Sequence, residues 1–134
     1  MLRRLWSSRP YSVDLGLLFL RVSVAFLIMT HGWPKLIHFA ERADTFQDPL
    51  GLGTTASLAL ALFAEFFCGA FLLIGLFSRI VLIPLIFNML VIVFVVHGPK
   101  PIGDKELSLF YLISFICLFL FGPGRYSVDN LLKK

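Results

Sequence analysis

At 134 residues, 58% of them hydrophobic and only 15% charged, the chain has room for one domain and departs from soluble proteins, whose charged share is about 25%. A mean hydropathy of +0.89 points to the membrane. The net charge of +4 argues against nucleic acid, because the cations cluster on no face and gather at the two ends, where they suit anionic membrane lipid.

Arg3 and Arg4 precede an apolar stretch in the manner of a signal peptide. No small-residue cleavage site follows, Gly32-Trp33-Pro34-Lys35 being a poor one, so the stretch reads as a retained span. Four apolar runs stand out, Leu15–Trp33, Thr54–Leu76, Ile80–Val96 and Leu107–Phe121, each approaching the ~20 residues that cross a bilayer. Unpaired backbone groups are not tolerated in lipid, so the runs predict helices. The expected fold is therefore a single all-α domain over residues 1–134, an integral membrane four-helix bundle.

Lys and Arg placement sets the orientation. Arg3, Arg4, Arg9, Arg79, Arg125, Lys133 and Lys134 fall on one side, against Lys35, Arg42, Lys100 and Lys105 on the other, which puts both termini in the cytoplasm. In the first connection Leu36, Phe39, Ala40 and Ala43 follow helical spacing and predict a short interfacial helix, which Pro34 separates from the first span. The turn Asp48-Pro49-Leu50-Gly51-Leu52-Gly53 follows, with Thr54 or Thr55 placed to cap the second span. Ser127 is placed to cap a helical stub carrying Leu131 and Leu132, and Tyr-Ser-Val-Asp occurs twice, at 11–14 and 126–129. Cys68 and Cys117 lie in apolar segments with no CxxC, which suits packing rather than dithiol exchange.

The residues a membrane should reject carry the functional signal, since a charge near mid-bilayer costs ~2.5–3.5 kcal/mol on insertion scales. Counted along their spans, Arg21, Asn88 and Glu65 lie about 9, 12 and 16 Å from the cytoplasmic side. An Arg21–Glu65 ion pair buttressed by the Asn88 amide would satisfy all three, and Arg21 would then hold the carboxylate ionised. The Glu65 face also carries Ala61, Cys68 and Gly69, small residues that permit close helix approach. Such a polar core either fixes the packing or lines a ligand or proton site.

A second set gathers towards the outer leaflet: His31, Lys35, His97 and Glu106, with Tyr111 to one side of the Glu106 face. Asn88 and His97 project about 180° apart if the third span stays α-helical, although Gly98-Pro99 ends it there. Each of these residues reads either as a site residue or as a side chain snorkelling to water. No HxxxH, HExxH or CxxC spacing supports a metal site, bis-His haem would need His31 and His97 to face each other, and no dinucleotide or phosphate-loop motif occurs.

Arg21 with His31-Gly32-Trp33-Pro34-Lys35-Leu36, Glu65 and Gly69 with Gly75-Leu76-Phe77-Ser78-Arg79, and His97, Glu106-Leu107 and Gly122-Pro123-Gly124-Arg125-Tyr126-Ser127-Val128-Asp129 together resemble the DoxX family. The resemblance covers roughly residues 15–130 and implies a four-helix protein of the bacterial inner membrane. It also implies redox chemistry, a related subunit belonging to thiosulfate:quinone oxidoreductase. The leading expectation is a membrane component of a quinone-linked oxidoreductase with no intrinsic redox centre. It would bind a quinone or similar lipophilic oxidant and take electrons from a donor protein subunit. His31, Lys35 and His97 would donate hydrogen bonds, and Glu65 or Glu106 would relay protons. A proton-coupled transporter and a non-catalytic anchor or assembly factor are the alternatives, and a second copy of the chain is a further candidate partner.

Overall fold

The computed structural model describes residues 2–133, and every regular element among them is helical. After the single turn α1 (Leu2–Leu5), Ser12 takes an extended backbone and accepts from the Leu15 amide at 3.2 Å, starting α2 (Val13–Ile37) as an N-cap should. Leu17, Arg21, Val24, Ala25, Ile28 and Gly32, spaced three and four apart, form its buried stripe. Pro34 does not end the helix as its sequence position suggests. The helix runs on to Ile37, and the His38 amide donates to the Pro34 carbonyl at 3.0 Å. A proline deletes only one amide donor, a loss that membrane helices absorb readily. Of the expected interfacial helix only one turn stands apart, α3 (Phe39–Arg42), Leu36 having joined α2.

The connection to the second column is held by Asp48, whose carboxylate accepts from the Gly53 amide and the Ser57 hydroxyl, both at 3.0 Å. Gly53, at φ 104°, is the residue that precedes the helix, so neither Thr54 nor Thr55 caps it; Asp48 reaches in from the loop instead. The column comprises α4 (Thr54–Leu62), a π-helical segment Phe63–Cys68 and α5 (Gly69–Ile74). Gly75 closes it in the left-handed conformation (φ 76°), with the Leu76 amide reaching the Phe71 carbonyl at 2.9 Å. The third column is α6 (Ser78–Val91) continued by a second π segment, Ile92–Val96. A 3₁₀ turn (Ile102–Lys105) leads into α7 (Glu106–Phe121), and Ser127 caps the final turn α8 (Val128–Leu132) by accepting from the Asn130 amide.

Three of these columns, Val13–Ile37, Thr54–Ile74 and Ser78–Val96, are long and apolar enough to cross a membrane. α7 packs against α6 and α2 and is shorter, 16 residues or about 24 Å. The centre is closely filled: Ala25, Leu58, Leu72, Leu85 and Phe115 are fully buried. Outside, Phe19, Phe26, Ile80, Phe94 and Leu120 are exposed, the apolar coat that lipid rather than water tolerates. Glycines set the closest approaches. A Cβ at Gly32 would sit 3.0 Å from the Phe66 backbone nitrogen, and one at Gly69 would meet Met29 of α2 at 2.9 Å.

Candidate functional site

Glu65 lies in the first π segment and is 4% exposed. Its partner is Lys35, whose ammonium donates to the carboxylate at 2.5 Å and also to the His31 carbonyl at 3.3 Å. Continuity of α2 through Pro34 explains the pairing. Helical side chains lean towards the N-terminus, so Lys35 near the end of α2 points back into the bundle and down onto Glu65. Gly32, one turn earlier, lets the two backbones approach closely enough for the ammonium to reach.

Arg21 is thus not the partner of Glu65. It lies fourteen residues before Lys35 on the same helix, about 21 Å along the axis. Its guanidinium, 2% exposed, donates to the carbonyls of Pro123 at 2.8 Å, Tyr126 at 2.9 Å and Leu73 at 3.4 Å. The sequence-based depths were close, yet depth along the normal says nothing about which partner a side chain faces. Arg21 instead pins the chain after α7 to the C-terminal end of α5, where free carbonyls favour a cation. Around it, Asp129 accepts from the Phe77 and Ser78 amides at 2.7 and 2.8 Å, and Asp14 accepts from the Arg125 amide at 3.1 Å. The two Tyr-Ser-Val-Asp segments therefore do similar work. In each, Ser caps its own helix and Asp satisfies backbone donors of another segment.

Asn88 makes no hydrogen bond to the ion pair, contrary to the buttressing role its depth suggests. Its side-chain nitrogen is buried without a partner, and so is Nδ1 of His97. Both residues line one cavity of about 470 Å³ between the second and third columns, together with Lys35 and Glu65. The remaining wall is apolar apart from Gln47 and Ser57. Ala61 and Ala64 come from the second column, Pro84, Phe87 and Val91 from α6, and Phe46, Leu50 and Leu52 from the Asp48 loop. Leu60, Phe63 and Phe87 line the cavity and are also half exposed on the outer surface, so its side opens towards the apolar coat.

The second π segment removes the obstacle to Asn88 and His97 sharing this space. Its bonds step back five residues, the His97 amide donating to the Ile92 carbonyl at 2.8 Å. One extra residue is taken up in the turn, and the offset falls from about 180° to about 80°. The Glu65 and His97 positions thus both depend on π turns, which occur frequently at functional sites. No periodicity in the sequence announces them.

The other outer residues stand apart. His31 is exposed and meets the Tyr111 ring edge-on at 5.7 Å, and Tyr111 stacks on Phe115 at 5.9 Å. Glu106 is exposed and does not line the cavity. Sequence reasoning singled out Lys35, Glu65, Asn88 and His97 but missed Gln47, Ser57 and the apolar wall, above all the loop residues Phe46, Leu50 and Leu52. Their apolarity within a connection was the available signal.

The sequence profile of the DoxX family matches residues 16–98, which contain Lys35, Glu65, Asn88 and His97. The chain is also similar to the inner membrane protein YqjF of Escherichia coli (strain K12), at 28% identity over 125 residues, covering 90% of this chain and 95% of that protein. No solved structure matches it. With a profile match over more than half its length and helices suited to spanning a bilayer, the chain belongs to the DoxX family and is a multi-pass protein of the bacterial inner membrane.

Proposed function

We propose that the cavity between the second and third columns binds the ring of a quinone or similar lipophilic oxidant, and that the protein serves as the membrane component of a redox system. α7 would be the fourth crossing and both termini cytoplasmic, as the placement of Lys and Arg suggests. One observation carries the reading. Two buried polar atoms without partners, on Asn88 and His97, line a largely apolar cavity that also holds a Lys–Glu pair. Buried polar groups are normally hydrogen-bonded, so these are the positions at which ring carbonyls would be received. Flat apolar walls from Phe46, Phe63 and Phe87 suit a ring, and the side opening suits a ligand dissolved in the bilayer.

Reduction of such a ring takes up protons with electrons. Lys35, Glu65 and the His97 imidazole are groups at the cavity that can carry protons, and a partner protein subunit would deliver the electrons. Calorimetric titration of the purified protein with benzoquinone and naphthoquinone rings tests the reading. Saturable binding should weaken at least tenfold in Asn88→Ala plus His97→Ala and be unchanged in Glu106→Ala. Absence of saturable binding, or indifference to the double substitution, would reject it.

A second reading, proton-coupled transport, gains from the identity of the Glu65 partner. An ammonium can give up its proton, whereas a guanidinium effectively cannot, so the Lys35–Glu65 pair could be neutralised by moving a proton between its members. Proton-driven uptake into liposomes that is lost in Glu65→Gln would favour it. A non-catalytic anchor would co-purify with stoichiometric partners and keep them active after substitution of every polar cavity residue.

A further inference from the structure

Beside the cavity, on the lipid-facing side of α6, lies a shallow recess of about 260 Å³ formed by Ile83, Ile86, Phe87 and Leu90 with Phe119 of α7. All five side chains are apolar, and one of them, Phe87, also lines the cavity. On a helical projection of α6, Pro84, Asn88 and Val91 face the cavity, while Ile83, Ile86 and Leu90 face the recess. Phe87 falls between the two groups. Phe87 is 56% exposed, so the residue that borders both the cavity, with its polar end, and the apolar recess lies at the surface.

We infer that the site takes a ligand of two parts, a hydrogen-bonding ring and a long apolar tail, with the ring in the cavity, the tail along the Ile83–Leu90 recess, and Phe87 as the divider the chain passes. This rests on the proposed ring-binding role and extends it to a prenylated or alkylated ring rather than a tailless, water-soluble one. Two features support the tail over an unrelated lipid chain. The recess adjoins the cavity at a shared residue, Phe87, and the cavity's opening at Leu60, Phe63 and Phe87 includes that residue. A tail leaving the polar end would otherwise project between the second and third columns without support. Lipid tails are as apolar as the recess, so the gain comes from packing rather than from escape from water, and it is correspondingly modest.

The test compares a methylated benzoquinone without a tail and the same ring with a long alkyl tail. Both are titrated against the full-length protein in bilayer nanodiscs at fixed lipid, and protein-free discs supply the partition correction. Wild type should bind the tailed ring about threefold to tenfold more tightly after that correction. Leu90→Trp, which fills the recess, should abolish the difference while leaving the tailless affinity within twofold of wild type. Ile80→Trp, exposed on the same helix but lining neither space, should preserve the difference. Equal affinities for the two rings in wild type, or a tail preference that survives Leu90→Trp, would overturn the two-part assignment while leaving the ring site standing. Failure of both rings to bind would overturn the ring site and the tail site together.

Discussion

Double-mutant cycles on α2 and the second column discriminate between the observed ion pairing and the one that depth alone suggests. Lys35→Met leaves the Glu65 carboxylate, 4% exposed, with no counter-ion, and breaking a buried pair by removing one member costs about 3–5 kcal/mol. Glu65→Gln is milder. The Lys35 side chain is 16% exposed, lies in the last turn of α2 and keeps the His31 carbonyl as acceptor, so the loss should be about 1–2 kcal/mol. With both charges gone, the amide and thioether leave nothing ionised to desolvate, and the double variant should resemble Glu65→Gln. The coupling is then about 3–5 kcal/mol, the full cost of Lys35→Met alone. Arg21→Met combined with Glu65→Gln should instead be additive within about 0.5 kcal/mol, because the two residues share no partner. Reversible unfolding in mixed detergent micelles, followed by circular dichroism, measures every corner. Coupling between Arg21 and Glu65, or its absence between Lys35 and Glu65, would refute the site geometry.

Arg21→Met should release the segment after α7, since three carbonyls lose their donor, and limited proteolysis should then cut between Gly122 and Asn130 at least tenfold faster than in wild type. Asp129→Ala removes two charge-assisted bonds to the first amides of α6, whose flanking Phe77 sits at φ 51° without a side-chain cap; unfolding measurements should show a loss of about 1–3 kcal/mol, with Asp129→Asn recovering part of it. Gly75→Ala should cost at least about 2 kcal/mol by the same measurement, because its Cβ would fall 2.5 Å from that of Ser127 at a backbone φ of 76°. Gly32→Val should push α2 away from the π segment that carries Glu65, lowering ring affinity in the titration assay at least tenfold while helicity is retained.

How much of this was legible in the sequence depends on the kind of information each feature needs. Hydropathy located the helical columns to within a few residues, because a bilayer demands long apolar runs with internally paired backbones. Ser127 as a cap and Gly69 as a point of close approach were equally readable, being decided by local chemistry or by the presence of a Cβ. Pro34 misled, since proline's effect on a helix depends on whether the surroundings make good one missing bond. The choice of partner for Glu65 followed from that error. Once the helix is stopped at Trp33, Lys35 belongs to a loop, and Arg21 becomes the nearest cation left on the span.

The cavity was hidden for a different reason. Its polar end requires two helices to depart from α-periodicity at the places where Glu65 and His97 stand, and a strict 100° projection of the sequence sets His97 opposite Asn88. A π turn has no strong compositional mark, and the first of the two packs closely against α2 at Gly32, a tertiary contact that no local pattern reports. The same departure accounts for the partnerless nitrogens. A third column that stayed α throughout would keep His97 on the side opposite Asn88, and no second unsatisfied polar atom would line the cavity with it. Local backbone irregularity and unmet hydrogen-bonding capacity are thus two aspects of one arrangement, and both converge on the chamber that holds the Lys35–Glu65 pair.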